Sequence, residues 1–573
     1  MVAIGQPWRC RGAGKSAPRA SRAFARRGPS GVEFAAPVGN NYFPLQTRLS
    51  MKRTGFLIAA MIGALAMGWT AGARAQAPAA SATADAKPAA AAPSSESTPK
   101  EESSVTDHTI KLGNQTIPYK ATAGTILLKD DKDEPIASIF YVAYIRSDVK
   151  DTSQRPIAFV YNGGPGSSSA PLHMGAFGPK RVVTPDAQAA PPAPYQLVDN
   201  ANCLLDAADL VFIDPVGTGY SHVVGKGENK QFWGIDEDAK SMSQFITTYV
   251  NRNNRWNSAK FLIGESYGTF RDAVLVDYLQ NHESMYFNGI VMISTVLDFE
   301  TISFNPGEDL SYVLYLPSYA AAAWYQKTLT DRPADLNSFL AEARQFASTE
   351  YAPALAKGSA LPAAERADVV HKLARFTGLS EDYISNANLR VSLFQFMSEL
   401  QRGKGLTTGR LDARFTGPIF DRLEEYAAYD PLETAIEGAL AAAFNQYVRE
   451  DLQYNKDQSY VLLSDQANEG WDWDHKVPEN FSARGAPNAE ADLVDALYTN
   501  THLQVEAENG LFDLGTPFFA TEYTMGHLNL PPALQSNIHL QYYDAGHMMY
   551  LHEDDLTKLK GNIAAFIANA SKQ

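Results

Sequence analysis
The sequence predicts an α/β protein: a mostly parallel central sheet flanked by helices and interrupted by a long helical insertion. Three observations predict it. Short β-rich runs at residues 156–161, 209–213, 260–263 and 289–295 are nearly unbroken in apolarity, as strands covered on both faces must be. Between the middle pair, a helical stretch at about 235–252 lines up Met242, Phe245, Ile246 and Val250 on one face. After Leu297-Asp298 the strand rhythm stops, and segments 319–327, 335–346, 363–377 and 431–448 are Ala/Leu-rich and helical. Strands resume at 503–506 and 538–543, and a helix at about 554–570 closes the chain.

Ahead of this core, runs at 121–130 and 135–147 flank the polar turn Asp130-Asp131-Lys132-Asp133, which predicts a hairpin. The stretch 76–108 is rich in Ala, Pro, Ser, Glu and Lys and reads as a disordered linker. Met51-Lys52-Arg53, an apolar run from Gly55 to Trp69 and then Ala73-Arg74-Ala75 read as a secretory signal with an A-x-A cleavage site. That run is short of the roughly 20 residues a membrane span needs, and no cysteine follows it to carry a lipid. A signal works at a chain start, so residues 1–50, with eight Lys/Arg against the single acid Glu33, are expected to be an untranslated upstream extension rather than a basic tail. The expected organisation is therefore extension 1–50, signal 51–75, linker 76–108, core 109–300, helical cap insertion 301–490 and core 491–573.

Charge and cysteines narrow the function. Beyond residue 75 the chain carries 38 Lys/Arg against 63 Asp/Glu, a formal charge of −25, which argues against nucleic acid or anionic membrane as a partner. Of Cys10 and Cys203 only the second survives cleavage, so an exported form has no internal disulfide and must rely on core size.

The chemistry centres on Gly264-Glu265-Ser266-Tyr267-Gly268, directly after an apolar strand. A tight strand-to-helix turn of this G-x-S-x-G type pushes a serine out of the backbone, and small flanking residues make it sterically feasible. A serine hydroxyl attacks only when paired with a base, and the base needs an orienting group. Past the insertion, the 503–506 strand leads to Asn509-Gly510-Leu511-Phe512-Asp513, and the 538–543 strand to Asp544-Ala545-Gly546-His547. Of the histidines at 527, 539, 547 and 552, only His547 combines a preceding strand with a glycine-permitted turn. Asp544 shares its loop with His547 and would brace that ring poorly, which leaves Asp513 as the orienting acid. Oxyanion donors are expected from the amide of Tyr267 and from the glycines of Asn162-Gly163-Gly164-Pro165-Gly166, at the end of an earlier strand.

With these segments assembled, the chain resembles the serine carboxypeptidase family of α/β-hydrolases over about residues 120–300 and 490–570. The resemblance rests on Asn162–Gly166, on Asp214-Pro215-Val216-Gly217-Thr218-Gly219-Tyr220-Ser221, on Gly264–Gly268, on Gly510 with Asp513, and on Ala545-Gly546-His547-Met548. It implies an α/β-hydrolase fold with a helical cap, a peptide substrate, and Ser266, His547 and Asp513 as nucleophile, base and orienting acid. It also implies Gly164 and Tyr267 as oxyanion donors, with Asn162 and Glu265 holding the substrate's C-terminal carboxylate. A carboxylate holds a carboxylate only when one is protonated, so the family's preference for acidic pH follows. With the signal segment, the expectation is a bacterial-type exported carboxypeptidase acting through an acyl-enzyme. An esterase or acyltransferase on the same scaffold is the alternative.

The departures are specific. The family's second glutamate, shortly before Gly178-Pro179, is here Ala176; the cysteine after the N-G-G-P-G run is Ser167; Gly268-Thr269 replaces the usual Ala-Gly. Carboxylate recognition is thereby weakened or taken over by Lys180 or Arg181, whose alternative reading is ordinary surface charge. Trp471 and Trp473, where the insertion rejoins the core, line a subsite or pack the cap. No metal or cofactor is expected, since Asp472, Asp474 and His475 lack partners at ligand spacing.

Overall fold
The computed structural model of the protein describes residues 99–478, 481 and 485–572. The expected extension, the signal segment and the linker up to residue 98 lie outside the described residues.

Nine strands run through one sheet: β1 (Ser103–Leu112), β2 (Gln115–Lys129), β3 (Pro135–Arg146), β4 (Ile157–Tyr161), β5 (Asp209–Ile213), β6 (Lys260–Glu265), β7 (Gly289–Ile293), β8 (Gln504–Gly510) and β9 (Ile538–Tyr543). Their spatial order is β1-β2-β3-β5-β4-β6-β7-β8-β9, with the short His222–Val223 strand added to β3. The first three strands and their junction with β5 are antiparallel, and the six strands from β5 to β9 are parallel. This is the expected α/β-hydrolase arrangement.

Parallel strands need cover on both faces, and β4 shows how the sequence provides it. All five of its residues are buried; Ile157, Phe159 and Tyr161 point into one apolar cluster while Ala158 and Val160 point into the other. The helix Ile235–Arg252 covers one face through Met242, Phe245, Ile246 and Val250, and its first turn carries Asp236, Glu237 and Asp238 against the positive end of the helix dipole. The helix Tyr267–Glu283 has no apolar stripe to read, because it is buried nearly all round.

Two corrections follow. The linker does not extend to residue 108: β1 begins at Ser103 and pairs with β2 from Ser103 to Leu112. Its polar composition reads as linker because much of it faces solvent, and backbone bonds to β2 rather than side-chain burial hold it. The segment between β7 and β8 is mainly helical but also carries a two-stranded sheet, Leu406–Thr408 with Thr416–Pro418, and its apolar residues divide between a cluster shared with Leu511, Phe512, Leu514 and Phe518 beyond β8 and a cluster of the sheet.

That segment returns to the core through an ion cluster centred on a buried ring. His475 Nδ1 lies 2.7 Å from Asp236 and Nε2 2.9 Å from Asp492, tying the start of the Ile235–Arg252 helix to the Glu490–Thr499 helix. Burial opposes charge on the ring, but the two carboxylates outweigh it and raise the imidazolium pKa to about 9. A raised folded-state value means the stabilisation is fully present below pH 6.5 and is lost as pH rises through about 9. His475→Gln is expected to destabilise the protein by about 3 kcal/mol at neutral pH, since it strands the buried Asp492 and the partly buried Asp236 without their cation. Urea midpoints of both proteins across that pH window should converge; a constant gap would refute the ion cluster.

Candidate active site
The predicted nucleophile, acid and base all follow the C-terminal ends of parallel strands. Ser266 is the residue after β6, Asp513 lies three residues beyond β8, and His547 four beyond β9. Register aligns these ends: Ile293 at the end of β7 pairs with Glu265 on one side and Glu508 on the other, and Gly510 pairs with Tyr543.

Ser266 has φ 61° and ψ −128°, a conformation that costs a non-glycine residue about 1–3 kcal/mol and persists only where the surroundings impose it. Here the amide of Ser266 donates to Ile293 O at 2.9 Å and its carbonyl accepts from Thr269 N at 2.8 Å. The turn brings backbones very close together. A Cβ on Gly264 would stand 2.3 Å from Gly268 O and 2.4 Å from Asp272 Oδ2. A Cβ on Gly163 would stand 2.4 Å from Tyr267 N and 2.5 Å from Gly268 N. Only glycine fits either position.

Asp513 is fully buried and saturated with donors. Gly515 N and Thr516 N donate to Oδ1 at 2.7 and 3.0 Å, and Thr516 Oγ1 donates to Oδ2 at 2.7 Å. The same Oδ2 lies 2.8 Å from His547 Nδ1, which makes Nδ1 the protonated nitrogen and leaves Nε2 as the basic one. Burial lowers the affinity of His547 for a second proton; the charge and hydrogen bond of Asp513 overcome this, with help from Glu265, and the ring's pKa is raised. His547 N donates to Leu411 O at 2.6 Å, Leu514 N to Arg410 O and Ala413 N to Phe512 O, both at 2.9 Å. Residues 410–413 of the insertion thus brace both loops at once. A Cβ on Gly510 would stand 2.1 Å from Gly546 O, so the acid and base loops touch through bare backbone.

The predicted oxyanion loop runs past this turn. Gly164 is exposed at φ +101°, between the buried Gly163 and Pro165. Behind it, Gly166 O accepts from Ser464 N at 2.8 Å, Ser168 N donates to Leu462 O at 3.0 Å, and Asn468 Nδ2 donates to Pro165 O at 3.1 Å. Asp214 takes Ser169 N and Oγ, each at 2.8 Å, and a Cβ on Gly219 would stand 1.8 Å from its Oδ2. The Asp214–Ser221 motif is therefore scaffolding for the loop.

Glu265 and Asn162 meet beside the serine: Asn162 Nδ2 donates to Glu265 Oε1 at 2.7 Å, while Asn162 Oδ1 accepts from Leu172 N at 3.1 Å, which fixes the amide's orientation. Burial pushes the Glu265 carboxyl up to about 7, against the pull of His547, Tyr550 and Asn162. Ala176 is buried, and its carbonyl accepts from Asn200 Nδ2 at 2.7 Å. Lys180 and Arg181 pair instead with Asp199 at 2.6 Å and Glu553 at 2.5 Å, so ordinary charge pairing is their role. Trp471 and Trp473 stand edge-on to the Tyr267 ring at 5.4 and 5.8 Å, as packing residues. Among the described residues no cluster of three His, Cys, Asp or Glu could hold a metal ion.

Three contributors escaped sequence reasoning. Arg271, fully buried, donates to Asn162 O at 2.8 Å and to Asp238 at 2.5 Å, and its guanidinium lies 5.1 and 5.4 Å from the Tyr161 and Tyr267 ring centres. Its place one turn into the helix after the nucleophile was the available signal. Tyr550 and the 410–413 segment offered none.

Residues 113–318 match the family model described as serine carboxypeptidase. A search of curated proteins gave no match. The structure is similar to that of a prohormone-processing carboxypeptidase from Saccharomyces cerevisiae, with 16% identity, 79% of this chain and 91% of that chain covered, and a TM-score of 0.51, a likeness of fold. A proline iminopeptidase from Mycobacterium smegmatis matches with 12% identity, 81% and 99% coverage and a TM-score of 0.30. The match over residues 113–318 includes Asn162, Gly164, Glu265, Ser266 and Tyr267, and it marks this part of the chain as similar to the serine carboxypeptidase family.

Proposed function
We propose that the protein releases C-terminal residues from peptides through an acyl-enzyme on Ser266. His547 takes the serine proton through Nε2 and returns it to the leaving amine; Asp513 holds the ring and offsets its charge. The amides of Tyr267 and Gly164 receive the oxyanion. Asn162 and Glu265 hold the substrate's terminal carboxylate, and water then hydrolyses the ester. The observation that carries this reading is the buried Asn162–Glu265 pair, with Glu265 adjacent in sequence to the serine and its carboxyl pushed up by burial.

The pH dependence has two opposed limbs. The raised His547 value means that activity on any substrate is lost as pH falls through a point above 6.5, where the base becomes protonated. Glu265 must carry a proton to accept a carboxylate, so binding of a free C-terminus weakens as pH rises through about 7. Ala176 removes one acid from the pair that the family supplies, which favours ester hydrolysis as a second activity of the same serine.

We also propose export, with cleavage after Ala75. The Met51–Ala75 pattern supports it, and no helix among the described residues is long and apolar enough to cross a membrane.

Ser266→Ala is expected to lower turnover by about four to six orders of magnitude and to abolish labelling by a serine-directed phosphonate. Retained labelling would refute the nucleophile. A peptide with a free C-terminus should be cleaved about tenfold or more faster than its amidated twin at pH near 6. That preference should fade above pH 7 in the wild type and be independent of pH in Glu265→Gln. Equal rates on the two peptides at every pH would sink carboxylate recognition and leave the esterase. The mature protein recovered from the producing cell should begin at Gln76, as read by N-terminal mass spectrometry.

A further inference from the structure
One peptide group at the end of β7 lies between the nucleophile turn and the strand that leads to the acid. Ile293 O accepts from Ser266 N at 2.9 Å, and Ser294 N, on the other side of the same trans peptide, donates to Glu508 O of β8 at 2.8 Å. The Ser294 side chain turns to the base loop, where Oγ donates to His547 O at 2.7 Å. Ser294 is buried and has φ 54°, in the left-handed region that glycine enters without strain and serine does not. Glycine would make this turn freely, so what serine adds at the position is its hydroxyl.

We propose that Ser294 is a positioning residue for the triad: by holding the His547 carbonyl, its hydroxyl keeps the base in register with the nucleophile turn. The inference rests on the reading of Ser266, Asp513 and His547 as nucleophile, acid and base. A trans peptide is planar and stiff, with C=O and N–H pointing opposite ways, so the 293–294 unit is a rigid spacer between the Ser266 turn and β8. Between that unit and the His547 carbonyl stand two torsions, φ and χ1 of Ser294, and the left-handed turn sets the first. The other side of His547 is held from the insertion. Its N–H donates to Leu411 O at 2.6 Å, and Gly546 N donates to Asp412 Oδ2 at 3.2 Å. The base is therefore clamped between the insertion on its amino side and the sheet on its carbonyl side. Asp513 orients the ring, and Ser294 fixes where the backbone that carries the ring stands relative to Ser266. A displacement of a catalytic group on the order of 1 Å can cost about a hundredfold in rate, while contacts to bound substrate are left intact.

Ser294→Ala removes the hydroxyl and keeps the strained turn; Ser294→Gly removes both. For these variants, the wild type and Ser266→Ala, kcat and KM are measured on a simple ester and on a free-C-terminus peptide, beside urea midpoints. The expected result is a fall in kcat of about 10- to 100-fold in both Ser294 variants, with KM within about twofold on each substrate. Labelling by a serine-directed phosphonate should slow in parallel. Ser294→Gly, freed of the positive-φ strain, should have the higher urea midpoint of the two and yet be no more active. A kcat within about twofold of wild type in both variants, with Ser266→Ala inactive, would overturn the role of Ser294 alone. Recovery of wild-type kcat in Ser294→Gly would assign the loss to the strained turn and overturn the role of the hydroxyl. A loss confined to KM, or failure of both variants to fold, would also overturn it. Turnover retained by Ser266→Ala would instead overturn the triad reading and this inference with it.

Discussion

The site depends on one close approach of backbones, that of Gly163 to the turn at Ser266. The amides of Tyr267 and Gly268 come so near Gly163 that a single methyl group there would overlap both. This contact joins the end of β4 to the end of β6, which are neighbours in the sheet, and it sets the distance between the two backbone segments from which an oxyanion could be held. Backbone packed on backbone is stiff, because no rotamer can absorb a displacement. The positive-φ conformation of Ser266 is stored in the same contact.

Around that contact the protein buries charge in compensated sets. Arg271 is matched by Asp238 and also supports the Asn162 carbonyl, Asp513 is surrounded by four donors, and Asp214 is held by both polar groups of Ser169. Burying ions is costly, and each set recovers that cost by fixing the position of a loop rather than by adding much net stability. Glu265 is held by fewer partners than Asp513. One of its oxygens has the neutral amide of Asn162, the other has no well-formed partner, and burial raises its proton affinity.

Much of this was legible because the chemistry is local. Gly-Glu-Ser-Tyr-Gly after an apolar strand, Asn-Gly-Gly after another, and Asp513 and His547 a few residues past two more are all readable within a window of about ten residues. The parallel strands were equally plain, since burial on both faces leaves an unbroken apolar run. What escaped was held by distant partners. His475 had no readable partner because Asp236 is 239 residues away in the chain and Asp492 is 17 away on another helix. The first half of β1 looked like linker because its cohesion is in the backbone ladder. Tyr550 sits three residues past His547, yet nothing in Met548-Met549-Tyr550 announces that its ring packs against Gly175.

The bracing of the acid and base loops by residues 410–413 ties two properties that are usually separable. Leu411 O, Arg410 O and Ala413 N are the partners of His547 N, Leu514 N and Phe512 O, and all three belong to the segment between β7 and β8. That segment is not a separate body: Leu411 and Phe415 pack in an apolar cluster of the sheet, and Ala413 shares another with Leu511, Phe512, Leu514 and Phe518 beyond β8. Opening the insertion would therefore uncover apolar surface of the Asp513 loop and remove the backbone anchor of the imidazole in one event. Variation in the segment is constrained most where it packs on the 410–413 stretch.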